Sequence, residues 1–262
     1  MVLVNGVFTD SIKANDRGLM YGDGVFRTLR IENCIPLNWA LHYQKLASDC
    51  AALELACPPI SVLERELETA SESMRNCIAK ITVTRGAGAR GYLPEAGLEP
   101  TRIVSTSPLP EHQFQKIRAH LCNFRLSHQP RLAGIKHLNR LENVMARMEW
   151  KDPETREGIL LDLEGNVIEG TMSSLLLYHD GCVIAPDLSR CGVDGVQRAR
   201  VLACCEKNGI PAKIESFGID RLIEADEVFL VNSVFGLWQI VELGSVTWPN
   251  GEFCGAMRGW LQ

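Results

Sequence analysis

The periodicity of apolar positions changes several times along this chain, and each change marks an element. Val2–Val4 and Val25–Ile31 are rich in β-branched residues and read as strands, with Glu32-Asn33 predicting a hairpin turn between Ile31 and Ile35. From Asn38 to Leu55, Leu41, Leu46, Leu53 and the stem of Lys45 fall at helical spacing, and a second helix is predicted over Ser61–Asn76. Strand composition returns at Ala79–Arg85 and Arg102–Ser107, separated by the glycine-rich segment Gly86–Gly97. This first part therefore reads as α+β.

Two prolines in Ser107-Pro-Leu-Pro-Glu-His interrupt the pattern, predicting a linker over 108–114 between domains 1–107 and 115–262. Beyond it, Lys116–Cys122 is strand-like. A helix is predicted over Leu138–Trp150, beginning just after Lys136, and its stripe of Leu138, Leu141, Val144, Met145 and Met148 is expected to pack in the core. Two hairpins follow, Gly158–Leu163 with Val167–Thr171 and Ser174–Tyr178 with Cys182–Ala185. A helix over Val196–Asn208 stops at Gly209, a good residue to leave a helix on, and Asp194 and Gln197 have the spacing of a capping box at its start.

Composition narrows the function. A chain of 262 residues with 46% hydrophobic and 23% charged residues suits a soluble protein with two modest cores. Its net charge of −5 argues against a nucleic-acid partner. The N-terminus lacks the pattern of a signal peptide and no stretch is apolar enough to span a bilayer, so no membrane partner is expected. Ten cysteines, none in a C-x-x-C pair, are expected as buried free thiols in a reducing cytoplasm.

Two segments carry candidate chemistry. In Leu132-Ala-Gly-Ile-Lys-His-Leu-Asn-Arg-Leu-Glu142, small and apolar residues lead into Lys136. A lysine kept from water retains a neutral, nucleophilic fraction, as carbonyl-binding lysines require. Downstream, Val167-Ile-Glu-Gly-Thr-Met-Ser-Ser174 places one carboxylate, Glu169, in a β-branched run, with Gly170 permitting close approach of a ligand. Pyridoxal 5′-phosphate (PLP) needs both a lysine and an acid, because its ring withdraws electrons best when the pyridine nitrogen is protonated. None of the six histidines has metal-ligand spacing, so no metal is expected.

These residues resemble the fold-type IV (class IV aminotransferase-like) PLP enzymes over nearly the whole chain. The resemblance runs through Asp16–Phe26, Thr84–Tyr92, the lysine segment, Glu169-Gly-Thr171, Gly192-Val-Asp-Gly195 and Ala225–Ser233. It implies a two-domain α+β fold like that of D-amino acid aminotransferase, with PLP in the interdomain cleft, and a homodimer whose two subunits build each site. Lys136 would carry the cofactor and act as catalytic base, and Glu169 would face the ring nitrogen. The phosphate would fall to the backbone donors of Val193 and Asp194, with Ser233 and Lys45. Lys45 stands in His42-Tyr-Gln-Lys-Leu46 where the family commonly has arginine, which replaces a two-pronged donor by a point charge. Ser174 is a second departure, at a position where asparagine is frequent.

Arg85-Gly-Ala-Gly-Ala-Arg-Gly-Tyr92 and the lysine segment resemble the family's lyase branch more than its transaminases. That branch acts on a small dicarboxylate. Arg90 and Tyr92 are the first candidates for binding it, with Arg27 and Arg131 weaker. Phe26 and Thr28 share a strand face, so if that face lines the cleft, Arg27 points away. Transamination of D-amino or branched-chain acids, and a non-catalytic binding protein on the same fold, are the alternatives.

Overall fold

A computed structural model describes residues 1–111 and 114–261; His112 and Gln113, in the expected linker, lie outside the described residues. Met1–Glu111 together with Ile135–Asn139 form one unit, and residues 114–134 and 140–261 form the other.

The first unit contains β1 (Val2–Val4), β2 (Val7–Phe8), α1 (Arg17–Tyr21), β3 (Gly24–Glu32), β4 (Ile35–Pro36), α2 (Trp39–Ala52), α3 (Ile60–Ser71), β5 (Cys77–Thr84) and β6 (Thr101–Ser107). Its strands make a six-stranded antiparallel sheet in the order β2-β1-β6-β5-β3-β4. Alternation decides what each face does. Val25, Leu29, Ile31, Ala79, Ile81, Val83 and Val104 are fully buried and pack against Leu46 and Cys50 of α2 and Leu63, Leu67 and Ala70 of α3. The opposite face carries Phe26, Thr28, Lys80, Thr82 and Ser105, in cross-strand register. The predicted turn sits one residue later than expected, because Asn33 and Cys34 both take positive φ, as a two-residue hairpin loop requires.

The second unit contains β7 (Lys116–Leu126), α4 (Leu141–Arg147), β8 (Thr155–Asp162), β9 (Val167–Gly170), β10 (Ser174–His179), β11 (Cys182–Pro186), α5 (Val196–Lys207), β12 (Ala212–Glu215), α6 (Ile219–Ile223), β13 (Glu227–Asn232), β14 (Gly236–Leu243), β15 (Val246–Thr247) and α7 (Glu252–Trp260). Eight of these strands follow one another in the order β12-β11-β10-β13-β14-β7-β8-β9, with β15 on β14 and a further pairing of β10 with β9 that turns the sheet back on itself. The central strands read as unbroken hydrophobic runs because both faces are covered. Leu175, Leu177, Val228 and Leu230 face one core, while Leu176, Phe229 and Val231 face another completed by α5 and α7.

The helix expected over Leu138–Trp150 is corrected. Residues 135–139 are not helical, and α4 starts at Leu141, with Arg140 at the N-cap position and no side chain capping it. Its stripe does not face a core: Leu141 is 71% exposed and Met148 67%, with Val144 and Met145 also exposed, while Ala146 is the buried position. Helical spacing reports that one face is apolar, not what covers it. All ten cysteines are free thiols, six of them buried. No helix among the described residues is long and apolar enough to cross a membrane.

Candidate active site

In the first unit, the lysine segment lies beside β3 as a short extended rung. Phe26 N–H donates to the Lys136 carbonyl at 3.0 Å, and Leu138 N–H donates to the Gly24 carbonyl at 3.0 Å, around a bridge between Val25 and His137. Glycines make this approach possible: a Cβ on Gly24 would lie 2.8 Å from Leu138 Cδ1, and one on Gly22 only 2.2 Å from Asn139 Oδ1. The Lys136 amine stands 4.6 Å from the centre of the Phe26 ring, on the sheet face away from α2 and α3. Phe26 and Thr28 are half-buried there, and Arg27 points into the helical layer, 2% exposed.

The Lys136 N–H takes no part in the rung. Its acceptor is Asp49 Oδ2 in α2, at 3.1 Å. Asp49 is 1% exposed and also binds the Arg27 guanidinium and the Lys45 ammonium, the latter at 2.7 Å. Lys45 is therefore engaged with a carboxylate one helical turn away. Arg27, a weaker substrate candidate from sequence, is corrected to a buried partner of Asp49. Sequence reasoning passed over Asp49; the available signal was its i,i+4 spacing from Lys45.

In the second unit, Glu169 on β9 is buried, and its Oε2 accepts the Val193 N–H at 2.8 Å. Gly192, at φ +87, brings that donor close: a Cβ there would lie 2.7 Å from Ile168 Cγ2. Arg140 lies near enough to interact with Glu169. Burial pushes the guanidinium's pKa down, and the Glu169 charge opposes that shift.

The donors assigned to the phosphate need correcting. Val193 N–H is used by Glu169, and Asp194 N–H donates to the Gly134 carbonyl at 3.1 Å. The capping box does not form either: Gly195 is the N-cap of α5, no side chain caps it, and Asp194 Oδ1 pairs with Arg198 at 3.1 Å. The open first turn of α5 begins one residue later, with Ser174 Oγ 2.7 Å from where a Cβ on Gly195 would be. Ser233 is half-buried in the turn after β13; the turn itself is held by Asn232, whose Oδ1 accepts from Val234 and Phe235.

A second buried carboxylate, Glu157, holds the turn that follows Glu169 and Gly170. Glu157 is fully buried and accepts from the Thr171 hydroxyl at 2.5 Å, the Ser173 hydroxyl at 2.7 Å and the backbone of Gly158, Thr171 and Met172. Burial pushes its carboxyl above the ordinary range, against the pull of those donors. It shapes the turn that leaves β9, a role its strand position alone does not reveal.

The loop carrying Arg90 and Tyr92 is anchored rather than loose. Arg17, 3% exposed, donates to the carbonyls of Gly91 at 2.8 Å and Tyr92 at 2.7 Å and to Asp23 at 2.9 Å. Arg85 is likewise structural, reaching Asp23 and the carbonyls of Leu53 and Glu54. Arg90 and Arg131 are exposed, and Tyr92 is 88% exposed.

Each unit by itself carries groups of the kind PLP requires: the first a lysine amine, the second a buried carboxylate and an uncapped first turn on a helix of 12 residues. The fold is the two-domain fold-type IV architecture, with mixed α and β content. The family model described as amino-transferase class IV matches residues 24–243, and the chain belongs to that family. It is 30% identical to an aminodeoxychorismate lyase of Vibrio harveyi, an alignment that covers 100% of this chain and 99% of the relative. It is 26% identical to a D-alanine aminotransferase of Bacillus licheniformis, over 95% of this chain and 90% of that one. Among solved structures, the 4-amino-4-deoxychorismate lyase of Pseudomonas aeruginosa matches with a TM-score of 0.95 and 42% identity, covering 100% of this chain and 98% of that chain.

Proposed function

We propose that this chain is a PLP-dependent lyase that converts 4-amino-4-deoxychorismate to 4-aminobenzoate and pyruvate, a step feeding folate synthesis. The observation that carries the reading is the buried Glu169 carboxylate fixed by Val193, in a chain matched over its whole length by a lyase at 42% identity. Lys136 binds the cofactor, Glu169 holds a proton on the ring nitrogen, and the first turn of α5 with Ser174 and Ser233 receives the phosphate. Lys45 adds positive charge, shared with Asp49. When bound, PLP supplies the electron sink.

Lys136 Nζ takes the proton from substrate C4 as the C3–O bond breaks and enolpyruvate leaves. The ring left behind is aromatic, so the step runs downhill and the residues mainly position the reactant. The protonated Lys136 amine returns its proton to the enolpyruvate methylene, giving pyruvate. Phe26 and Thr28 line the face beside the amine, and Arg90 and Tyr92 reach the substrate carboxylates.

The working form is a cytoplasmic homodimer. The exposed α4 stripe and the exposed Tyr92 and Leu93 support a second copy as partner. The test is to incubate the holoenzyme with 4-amino-4-deoxychorismate and follow both products. Borohydride reduction with peptide mapping should place the pyridoxyl group on Lys136. Exchange of D-alanine or branched-chain amino acids with keto acids, with no 4-aminobenzoate formed, would replace this reading by transamination.

A further inference from the structure

We propose that Cys57 is a peroxide-reactive thiol and Cys50 its resolving partner, the two closing into a disulfide within the folded protein. Both lie in the first unit. Cys50 sits in the last turn of α2, fully buried, and its carbonyl accepts from the Leu55 N–H at 2.8 Å. Glu54, at φ +52, reverses the chain there, and the segment after it runs back along α2. The Tyr43 hydroxyl, about two helical turns before Cys50, donates to the Pro58 carbonyl at 3.1 Å and fixes that return. Cys57 is thus held half-buried beside α2, packed on the core cluster that contains Cys50.

The partners of the Cys57 sulfur set its chemistry. Its S–H donates to the Pro58 carbonyl at 3.6 Å, and the sulfur accepts from the Cys50 thiol and the Tyr43 hydroxyl. Those two donors favour the thiolate. The Cys50 bond, helped by Tyr43, outweighs burial and brings the Cys57 thiol down to about 7, while the same bond and burial push Cys50 up. One sulfur is a nucleophile that solvent reaches, and a protonated thiol stands beside it, the arrangement that makes a cysteine oxidisable and its oxidation reversible. The Cys57 thiolate attacks one oxygen of a hydroperoxide, the O–O bond breaks, and the second oxygen leaves with the electron pair. Cys57 then carries a sulfenic acid. The Cys50 sulfur displaces its hydroxyl, which departs as water with the Cys50 proton. Each sulfur loses one electron and the peroxide gains two. The site uses no residue of the proposed lyase reaction.

The experiment treats parent holoenzyme with a slight excess of hydrogen peroxide at neutral pH, blocks the remaining thiols and maps peptides by mass without reduction. A peptide pair joining Cys50 to Cys57, released by dithiothreitol, is the expected product. Cys50→Ala should stop the reaction at a Cys57 sulfenic acid that dimedone traps, and Cys57→Ser should leave Cys50 unoxidised. Before oxidation, iodoacetamide should alkylate Cys57 at a rate half-maximal near pH 7, shifted by Cys50→Ala toward the ordinary thiol value of about 8.5. The mapping needs the parent alone, so it does not depend on either variant folding. A Cys57 that stays reduced in the folded parent, or links to another cysteine, would overturn the assignment. So would an alkylation profile that Cys50→Ala leaves unmoved.

Discussion

Asp49 and Lys136 are joined by one hydrogen bond, from the lysine's backbone N–H to Asp49 Oδ2 at 3.1 Å, across 87 positions of sequence. The strand beside Lys136 offers that N–H no acceptor, and a buried donor left unmet is costly. Asp49 can supply the acceptor because Arg27 and Lys45 hold its charge.

Asp49→Ala should therefore act at Lys136 as well as on overall stability. Breaking a buried ion pair costs about 3–5 kcal/mol, read by urea denaturation. The specific signature is faster hydrogen exchange at the Lys136 amide than at Phe26 or Leu138. Asp49→Asn keeps an acceptor, and should restore protection at Lys136 while recovering less of the stability. Equal exchange in parent and Ala variant would refute the anchor.

Glu169→Gln should leave PLP bound but lower kcat steeply, because an amide cannot hold the ring nitrogen protonated. Its volume is kept, and the side-chain oxygen can still accept from Val193. Activity within a few-fold of the parent would assign the ring partner elsewhere. Lys136→Ala, in contrast, should abolish turnover while the circular dichroism stays close to that of the parent.

The α4 stripe gives an assembly prediction. Val144→Glu combined with Met148→Glu places two charges on a face already open to solvent, so the fold should survive at nearly parental stability. If a second copy covers this face, light scattering will show dimer converted to monomer. An unchanged dimer would exclude α4 from the interface.

Acid stability should depend on Asp162, which holds the turn from β8 to β9. Burial pushes its carboxyl up, but hydrogen bonds from the Asn166 side chain and backbone, His128 and Glu164 N–H outweigh this and hold it below the ordinary 3.8. A carboxyl lowered in the folded state contributes stability above its ordinary pKa and loses it as pH falls through the lowered value. Asp162→Asn should therefore be less stable than the parent at neutral pH, with the gap closing below about pH 3.8 in a denaturation series. A gap constant with pH would mean that the charge is not what stabilises the turn.

Much of the fold was legible from local pattern. The hairpins of β8–β9 and β10–β11, the strands β3, β5 and β6, and the stop of α5 at Gly209 all rest on neighbours in sequence, which is what periodicity and turn residues report. The helix after Lys136 starts later than its apolar spacing over 138–148 implies, because the Leu138 N–H is taken by the Gly24 carbonyl of β3.

The sequence by itself determined the chemistry available: one lysine after small residues, one carboxylate in a β-branched run, and a glycine-bounded helix start. Where each group points was decided by tertiary structure. Asp49 reaches Lys136 only because α2 packs behind β3, and Val193 serves Glu169 because Gly192 leaves room for the Ile168 and Leu188 side chains. Lys80 shares a face with Phe26 through the register of β3 and β5. Pairings of this kind, between residues tens of positions apart, depend on packing and register, and no local period encodes them.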